Sequence, residues 1–408
     1  MAEIIPVLLG GDLNSYNLAR AFYESYGVKS HVFGRYAVSA TKYSSLLTIH
    51  LVPDLDDPDT MVKTLRRFAD EHKGATLPLF GCTDDYVSLI IDARERGLLP
   101  AAYAAPHPSV RQRDMFADKA DFYMMCDKYG IPYPKTLVIS SAEELSEKLP
   151  GAELGYPVVI KPSLSAEYWR HPFDTMKKAY FADSEVDARR IADEIYASGY
   201  GKRLIVQEFI PGGDDCMRVL TTYSDKEGRV KTVCLGHVLL EEHTPHGIGN
   251  HAAIITTSDP ALTAPFRAML DAEGYTGFCN FDIKRDPRNG RYFAFDMNLR
   301  QGRSNYYVTS AGANIAELVV RDLIFGESLP YLETDSEVFW HSIPKSTVYK
   351  YTKDGEAAAL ARRLAREGRE ASSLVYKYDM MRRPLRALCV LESQRRERVK
   401  FKKYCTKR

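Results

Sequence analysis

Over residues 3–96 short apolar runs and helical patterns take turns, and this alternation constrains the fold more than any other feature of the chain. EIIPVLLGG, SHVFG, LLTIHLV and LPLFG are strand-like, and apolar residues recur at helical spacing over Ser15–Tyr26, Pro58–His72 and Tyr86–Arg96. Strands separated by helices return to the sheet in the same direction. Residues 1–110 are therefore expected to form an α/β domain on a parallel sheet.

A charged helical stretch, Arg111–Tyr129, leads into GIPYPKT. Two prolines so close cannot continue a helix, so a domain boundary is expected here. Beyond it come the strand-like runs TLVIS, YPVVIKP, KKAYFADS and RLIVQEFIPGG, with helices near 142–149 and 185–198. The run CMRVLTTYSDKEGRVKTVCLGHVLLEE is a hairpin turning at Asp225–Gly228. Such a pattern favours antiparallel pairing, and residues 111–330 are expected to be α+β, closed by a helix over Ala313–Leu323. Residues 331–408 read as a C-terminal extension, with a helix over Glu356–Glu367 and a basic tail from Arg395 to Arg408.

Composition removes several classes. With 45% apolar and 27% charged residues, the 408-residue chain is an ordinary globular protein of about two or three domains. A formal net charge of +1 supplies no field for nucleic acid. The N-terminus MAEIIPVLLGG lacks a basic signal region, and no run approaches the ~20 apolar residues of a membrane span. The seven cysteines show no CxxC spacing, which suits reduced thiols in a cytoplasm.

The chemistry concentrates in YFAFDMNLRQGRS, residues 292–304. Side chains alternate along a strand, so Asp296, Asn298 and Arg300 project together while Phe295, Met297 and Leu299 face away. Upstream, FCNFDIKRD ends in Asp282, and the turn DPRNG would bring the two acids together in an antiparallel pair. Two carboxylates and an amide carbonyl suit a hard cation such as Mg²⁺, and an arginine beside them suits phosphate. Either acid alone reads as a solvated strand end; four polar groups in phase point to a site. Lys161, ending the apolar run YPVVIKP, is costly to bury unless it meets an anion. Lys119 taken alone reads as a solvated helix lysine. RLIVQEFIPGG is a strand running into Pro-Gly-Gly, able to present backbone groups and apolar faces to a purine, though in isolation it is an ordinary strand and turn.

Taken in order, these elements resemble the ATP-grasp superfamily of carboxylate–amine ligases, from about Lys119 to Leu323. The resemblance implies that Lys119 and Lys161 meet the phosphates of ATP. It makes Gln207, Glu208, Phe209 and Ile210 the adenine hinge, within a subdomain at about 134–211, and turns Asp214 toward the ribose. Asp282, Asp296 and Asn298 become ligands of Mg²⁺, or of Mn²⁺ in its place, and Arg300 the group stabilising an acyl phosphate. The hinge departs from the family in beginning with Gln207 rather than glutamate. The glycine-rich flap is replaced by SLSAEYWRHPFDTMKK, whose Lys177 and Lys178 are expected over the γ-phosphate. GGDLNS lacks a full GxGxxG, so the N-terminal domain is expected to help bind substrate rather than a nicotinamide.

The segments MRVLTTYSDKEGRVK, LGHVLLEEHTPHGIGNHAAIIT and LRQGRSNYYVTSAGANIAELVVRDLI are similar to the D-aspartate ligase group. That similarity implies a D-aspartate donor and, as acceptor, an amine of a UDP-linked or lipid-linked peptidoglycan precursor. Arg218 and Arg303 become candidates for the donor carboxylates. His243, His246 and Asn250 lie near the reacting groups or are plain loop residues, and Gly302, Ser304 and Asn305 would hold the intermediate. A ligase for another amino-acid or dipeptide conjugate and a non-catalytic ATP-binding module are the alternatives. The basic tail is expected to be a solvated terminus, with peripheral contact to anionic lipid as its alternative.

Overall fold

The computed structural model describes residues 3–245 and 247–405. Two compact units make up the chain: Met1–Val110, Gly213–Asn280 and Asn298–Arg408 form one, and Arg111–Gly212 with Phe281–Met297 the other.

In the first unit a five-stranded sheet has the spatial order Leu47–Leu51, Ser30–Gly34, Val7–Leu9, Leu77–Gly81, Tyr103–Ala104, parallel throughout. Its central strand is wholly buried, as a parallel sheet with helices on both faces requires. Leu8 packs with Leu18 and Phe22 of helix Leu13–Tyr26, whereas Val7 and Leu9 pack with Met61, Leu65 and Phe68 of helix Pro58–Glu71. Asp12 caps the first helix by accepting from Asn14 N at 3.1 Å and Ser15 N at 3.4 Å.

A second sheet runs Tyr292–Asn298, Gly277–Arg285, Met217–Ser224, Val230–Glu241, His251–Thr257, Phe339–His341, Glu370–Ser372. Its central pairs are antiparallel, whereas Leu332–Glu333 beside Val230–Glu241 and the Phe339–His341/Glu370–Ser372 pair are parallel. The helix expected over Ala313–Leu323 begins at Ile315, capped by Asn314, and changes to π geometry over Val320–Ile324.

The C-terminal residues are part of this unit. Phe339, Val348, Ala361, Leu364 and Phe401 share one core with Leu240 and Ile255. The basic side chains expected to be solvated are so among the described residues, Arg395, Arg396, Arg398, Lys400, Lys402 and Lys403 all being exposed, but the backbone carrying them is helical and anchored by Phe401. Residues 395–404 close a 21-residue helix, Pro384–Tyr404, that buries Arg386, Val390, Gln394 and Phe401 along one face. Four buried side chains at helical spacing hold it down despite its charge.

The second unit is an antiparallel sheet in the order Thr136–Ile139, Leu204–Glu208, Val158–Pro162, Tyr180–Ala182. Helices Ala142–Lys148 and Glu185–Ala197 cover it through Leu145, Ile191 and Ile195. The single helix expected over Arg111–Tyr129 is split into Val110–Ala117 and Lys119–Tyr129. The cause is Asp118, which leaves helical dihedrals (φ −83°, ψ 124°) to accept from Ala120 N. Arg203 pairs with that same oxygen at 2.9 Å, and the other oxygen accepts from Ser163 Oγ at 2.8 Å. Lys119 thereby becomes the first residue of a new helix, its N–H bonded to Ser163 O just beyond the strand that carries Lys161.

Candidate active site

In the second unit the lysines meet the acids. The Lys119 ammonium is 2.9 Å from Asp296, and Lys119 is only 9% exposed, so its reading as a solvated surface lysine is overturned. Lys161 lies 5.1 Å from the centre of the Phe295 ring. Burial first, and then the neighbouring Lys119 and Lys178, push the Lys161 ammonium down to about 7, against the pull of Asp296 and Asp282. Burial alone would raise the Asp296 carboxyl, but Lys119, Lys161 and Lys178 outweigh it and hold the carboxyl below its ordinary value. Three ammonium groups and two carboxylates thus share one field.

Local structure explains the clustering. The hairpin carrying both acids turns on Asp286, which accepts from Arg288 and Gly290 N. Asp282 sits between the buried Phe281 and Ile283, and Asp296 precedes the buried Met297, so the acids occupy the opposite face of each strand. The segment after Lys161 is no open glycine-rich flap. Tyr168 in it is fully buried, and its hydroxyl bonds Tyr180 Oη at 2.7 Å and Lys177 O at 3.1 Å. That anchor fixes the backbone leading to Lys178.

Of the residues expected at the hinge, Gln207 is buried and donates to Thr136 Oγ1 at 2.8 Å. Glu208 receives Arg288 at 2.7 Å, Phe209 packs edge-on to Phe181, and Ile210 O accepts from Lys284 at 2.9 Å.

The remaining candidates fall in the first unit. Asn298 donates to Asn280 O at 3.5 Å, and Arg300 reaches Asn298 Oδ1 at 3.5 Å, consistent with one strand face. Arg300 itself lies past the strand end. Its guanidinium grips Asp84 with two contacts, 2.8 and 3.0 Å. Arg303 pairs with Glu242. Asp12 also lies near both arginines; burial lifts its carboxyl above the ordinary value although Arg303 and Arg300 pull it down. Burial would lower the Arg303 guanidinium, but Glu242 and Asp12 hold it above its usual value. Asp12, Asp84 and Glu242 were not among the sequence candidates. Only Asp12 carried a signal, an acid after Gly-Gly opening a helix, and that signal is common to many N-caps.

Arg218 donates to the carbonyls of Asp215 and Met217 and stands across the ladder from His237. Asp214 accepts from Glu241 N at 2.9 Å and pairs with His243 at 2.7 Å, and this hydrogen bond raises the His243 imidazole. The loop closes where Glu242 N bonds Asn250 O. Gly247 leaves room there for two side chains, because a Cβ would lie 2.5 Å from Glu242 Oε2 and from Thr244 Oγ1 and one of them would have to shift. His246 lies outside the described residues. Gly302 leaves only 3.1 Å between a built Cβ and the Asn280 amide. Asn305 donates to Asn14 Oδ1 at 2.5 Å, and Ser304 is buried.

No protein-family model matches the chain. Solved structures with the same fold include the L-amino acid ligase of Bacillus licheniformis (TM-score 0.55, 14% identity, 79% of this chain and 74% of that one). The biotin carboxylase domain of the Hydrogenobacter thermophilus 2-oxoglutarate carboxylase, solved with MgADP and bicarbonate, gives a TM-score of 0.60 at 16% identity, covering 82% and 73%. The fold is that of the ATP-grasp proteins. The D-aspartate ligase of Enterococcus faecium is 35% identical over 391 residues, 92% of this chain and 91% of that protein. The chain belongs to the D-aspartate ligase family.

Proposed function

We propose that the protein joins the carboxylate of D-aspartate to an amine of a peptidoglycan precursor at the expense of ATP. The observation that carries this reading is the convergence of Lys119, Lys161 and Lys178 on Asp296 and Asp282, with Lys161 pushed down to about 7. A lysine so placed regains its full charge beside a polyanion. The phosphates of ATP are such a partner.

Asp282, Asp296 and Asn298 would hold Mg²⁺, or Mn²⁺ in its place, through oxygen donors that suit a hard cation. The ion, when bound, neutralises charge on the transferring phosphoryl group. Lys119, Lys161 and Lys178 hold the phosphates, and the segment Gln207–Ile210 with Asp214 takes the nucleoside. A donor carboxylate oxygen attacks the γ-phosphorus and ADP leaves. The acceptor nitrogen then attacks the acyl carbon, phosphate leaves and the amine proton passes to solvent. Arg300 stabilises the charge developed in both steps, and Arg218 and Arg303 read the donor carboxylates. Positioning and charge suffice, so no protein nucleophile is assigned.

Phosphate release from ATP should require both donor and acceptor, and hydroxylamine should trap the activated donor as a hydroxamate. A panel of amino-acid donors decides the substrate: D-aspartate should give the strongest trapping. Reaction with non-acidic donors alone would overturn the donor assignment while leaving the ligase reading intact. Among the described residues no helix is long and apolar enough to cross a membrane.

A further inference from the structure

The helix Pro384–Tyr404 has two unlike faces. Arg386, Val390, Gln394 and Phe401 are buried. Arg386 pairs with Asp379 at 2.7 Å, both side chains being fully buried, and donates to Ala40 O and Lys42 O. Gln394 donates to Ser342 O, and Phe401 completes a core with Ala361 and Leu364. The helix is therefore fixed in rotation.

At about 100° per residue the opposite face carries Leu388, Leu391, Arg395, Val399 and Lys402. Leu385, Leu388 and Leu391 are 59%, 63% and 61% exposed, Val399 is 54%, and Met381 and Tyr378 just upstream are 53% and 61%. Large exposed side chains concentrated on one element need a reason. Among these apolar groups stand cations: Arg382 and Arg383 precede Leu385, and Arg398, Lys402 and Lys403 follow along the helix, all exposed. Arg398 and Lys402 form no ion pair among the described residues, and Glu392 is the one acid near the outer stripe, already held by Arg395 and Arg396.

We infer that this face is a docking surface for an anionic lipid bilayer, with the helix lying in the plane of the headgroups. Leucines entering the acyl boundary beneath a cationic flank are the features such helices use. A second copy of the chain fits less well, because apposing two of these faces sets cation against cation. The helix is already formed and anchored, so docking orders little new structure. Its inner face reaches the candidate site: the Phe401 ring lies 6.2 Å from that of His243. The inference does not depend on the ligase reading.

The test is cosedimentation of the full chain with vesicles of phosphatidylglycerol and phosphatidylcholine in equal parts, and with phosphatidylcholine alone. Binding is expected only to the anionic vesicles, and should be lost in about 1 M salt, where screening shortens to ~3 Å. Leu388→Glu with Leu391→Glu should lower the bound fraction about tenfold, and Arg398→Ser with Lys402→Ser about fivefold. Neither pair should change thermal unfolding or phosphate release with soluble substrates. Equal binding to both vesicle types, no binding to either, or unchanged binding by the leucine variant would overturn the inference. So would a dimer in gel filtration that the leucine variant abolishes while vesicle binding stays absent.

Discussion

Around Lys161, three ammonium groups face two carboxylates; around Arg303, two guanidiniums face three. The two clusters use similar groups in opposite balance, and the difference bears on what each awaits. In the first, burial and then the excess positive charge push the Lys161 ammonium down to about 7. It therefore favours any incoming polyanion. In the second, Asp84 and Glu242 already engage the arginines, so any further anion there must compete with the protein's own carboxylates.

The largest expected effect comes from Lys161→Met. Phosphate release should fall about a hundredfold or more, while the ligand-free protein becomes more stable. The sign follows from the lowered value: the folded protein penalises protonated Lys161, so the cost is present below about 7 and fades as pH rises toward the ordinary lysine value of 10.5. A denaturation series should show a gain at about pH 6 that shrinks at higher pH. A loss of stability at low pH would mean that the cluster is a structural ion network.

Glu242→Gln tests the other balance. If Glu242 holds the place of a donor carboxylate on Arg303, the donor KM should fall roughly fivefold with little change in kcat. Asp84→Asn should act the same way on Arg300 but more weakly, because Asp84 is 58% exposed. A rise in KM would instead make Glu242 a substrate-binding group.

Nucleotide binding should take up a proton above about pH 7, as Lys161 recharges beside phosphate. Calorimetry in buffers of different ionisation enthalpy measures this uptake, and Lys161→Met should abolish it. The smallest effect concerns His243, beside Glu242. Its bond to Asp214 raises the imidazole above 6.5, so the pair stabilises the fold at low pH and loses that contribution as pH rises through the raised value. An NMR titration should find His243 raised, and Asp214→Asn should bring it down.

Much of this was legible in the residues. The strand–helix alternation before residue 110 announced the parallel sheet, because buried parallel strands must be apolar on both faces. The two-residue spacing of Asp296 and Asn298 announced a polar strand face, because strand side chains alternate, whereas Arg300 lies past the strand end. Lys119 was opaque: its significance depends on Asp118 breaking the helix and on Asp296 far along the chain. Exposed and buried residues mix over 384–404, so the charge of the tail concealed the face that anchors it.

The sequence by itself determined the order of elements, the parallel and antiparallel regimes and the strand carrying the acids, since these follow from periodicities of two and 3.6 and from turn residues. Only the tertiary structure decided which charges meet. Arg300 finds Asp84 across 216 residues and Arg303 finds Glu242 across 61, and no local pattern records a partner at such a distance. The balance of charge in each cluster is a property of packing, and the chemistry proposed for each depends on that balance.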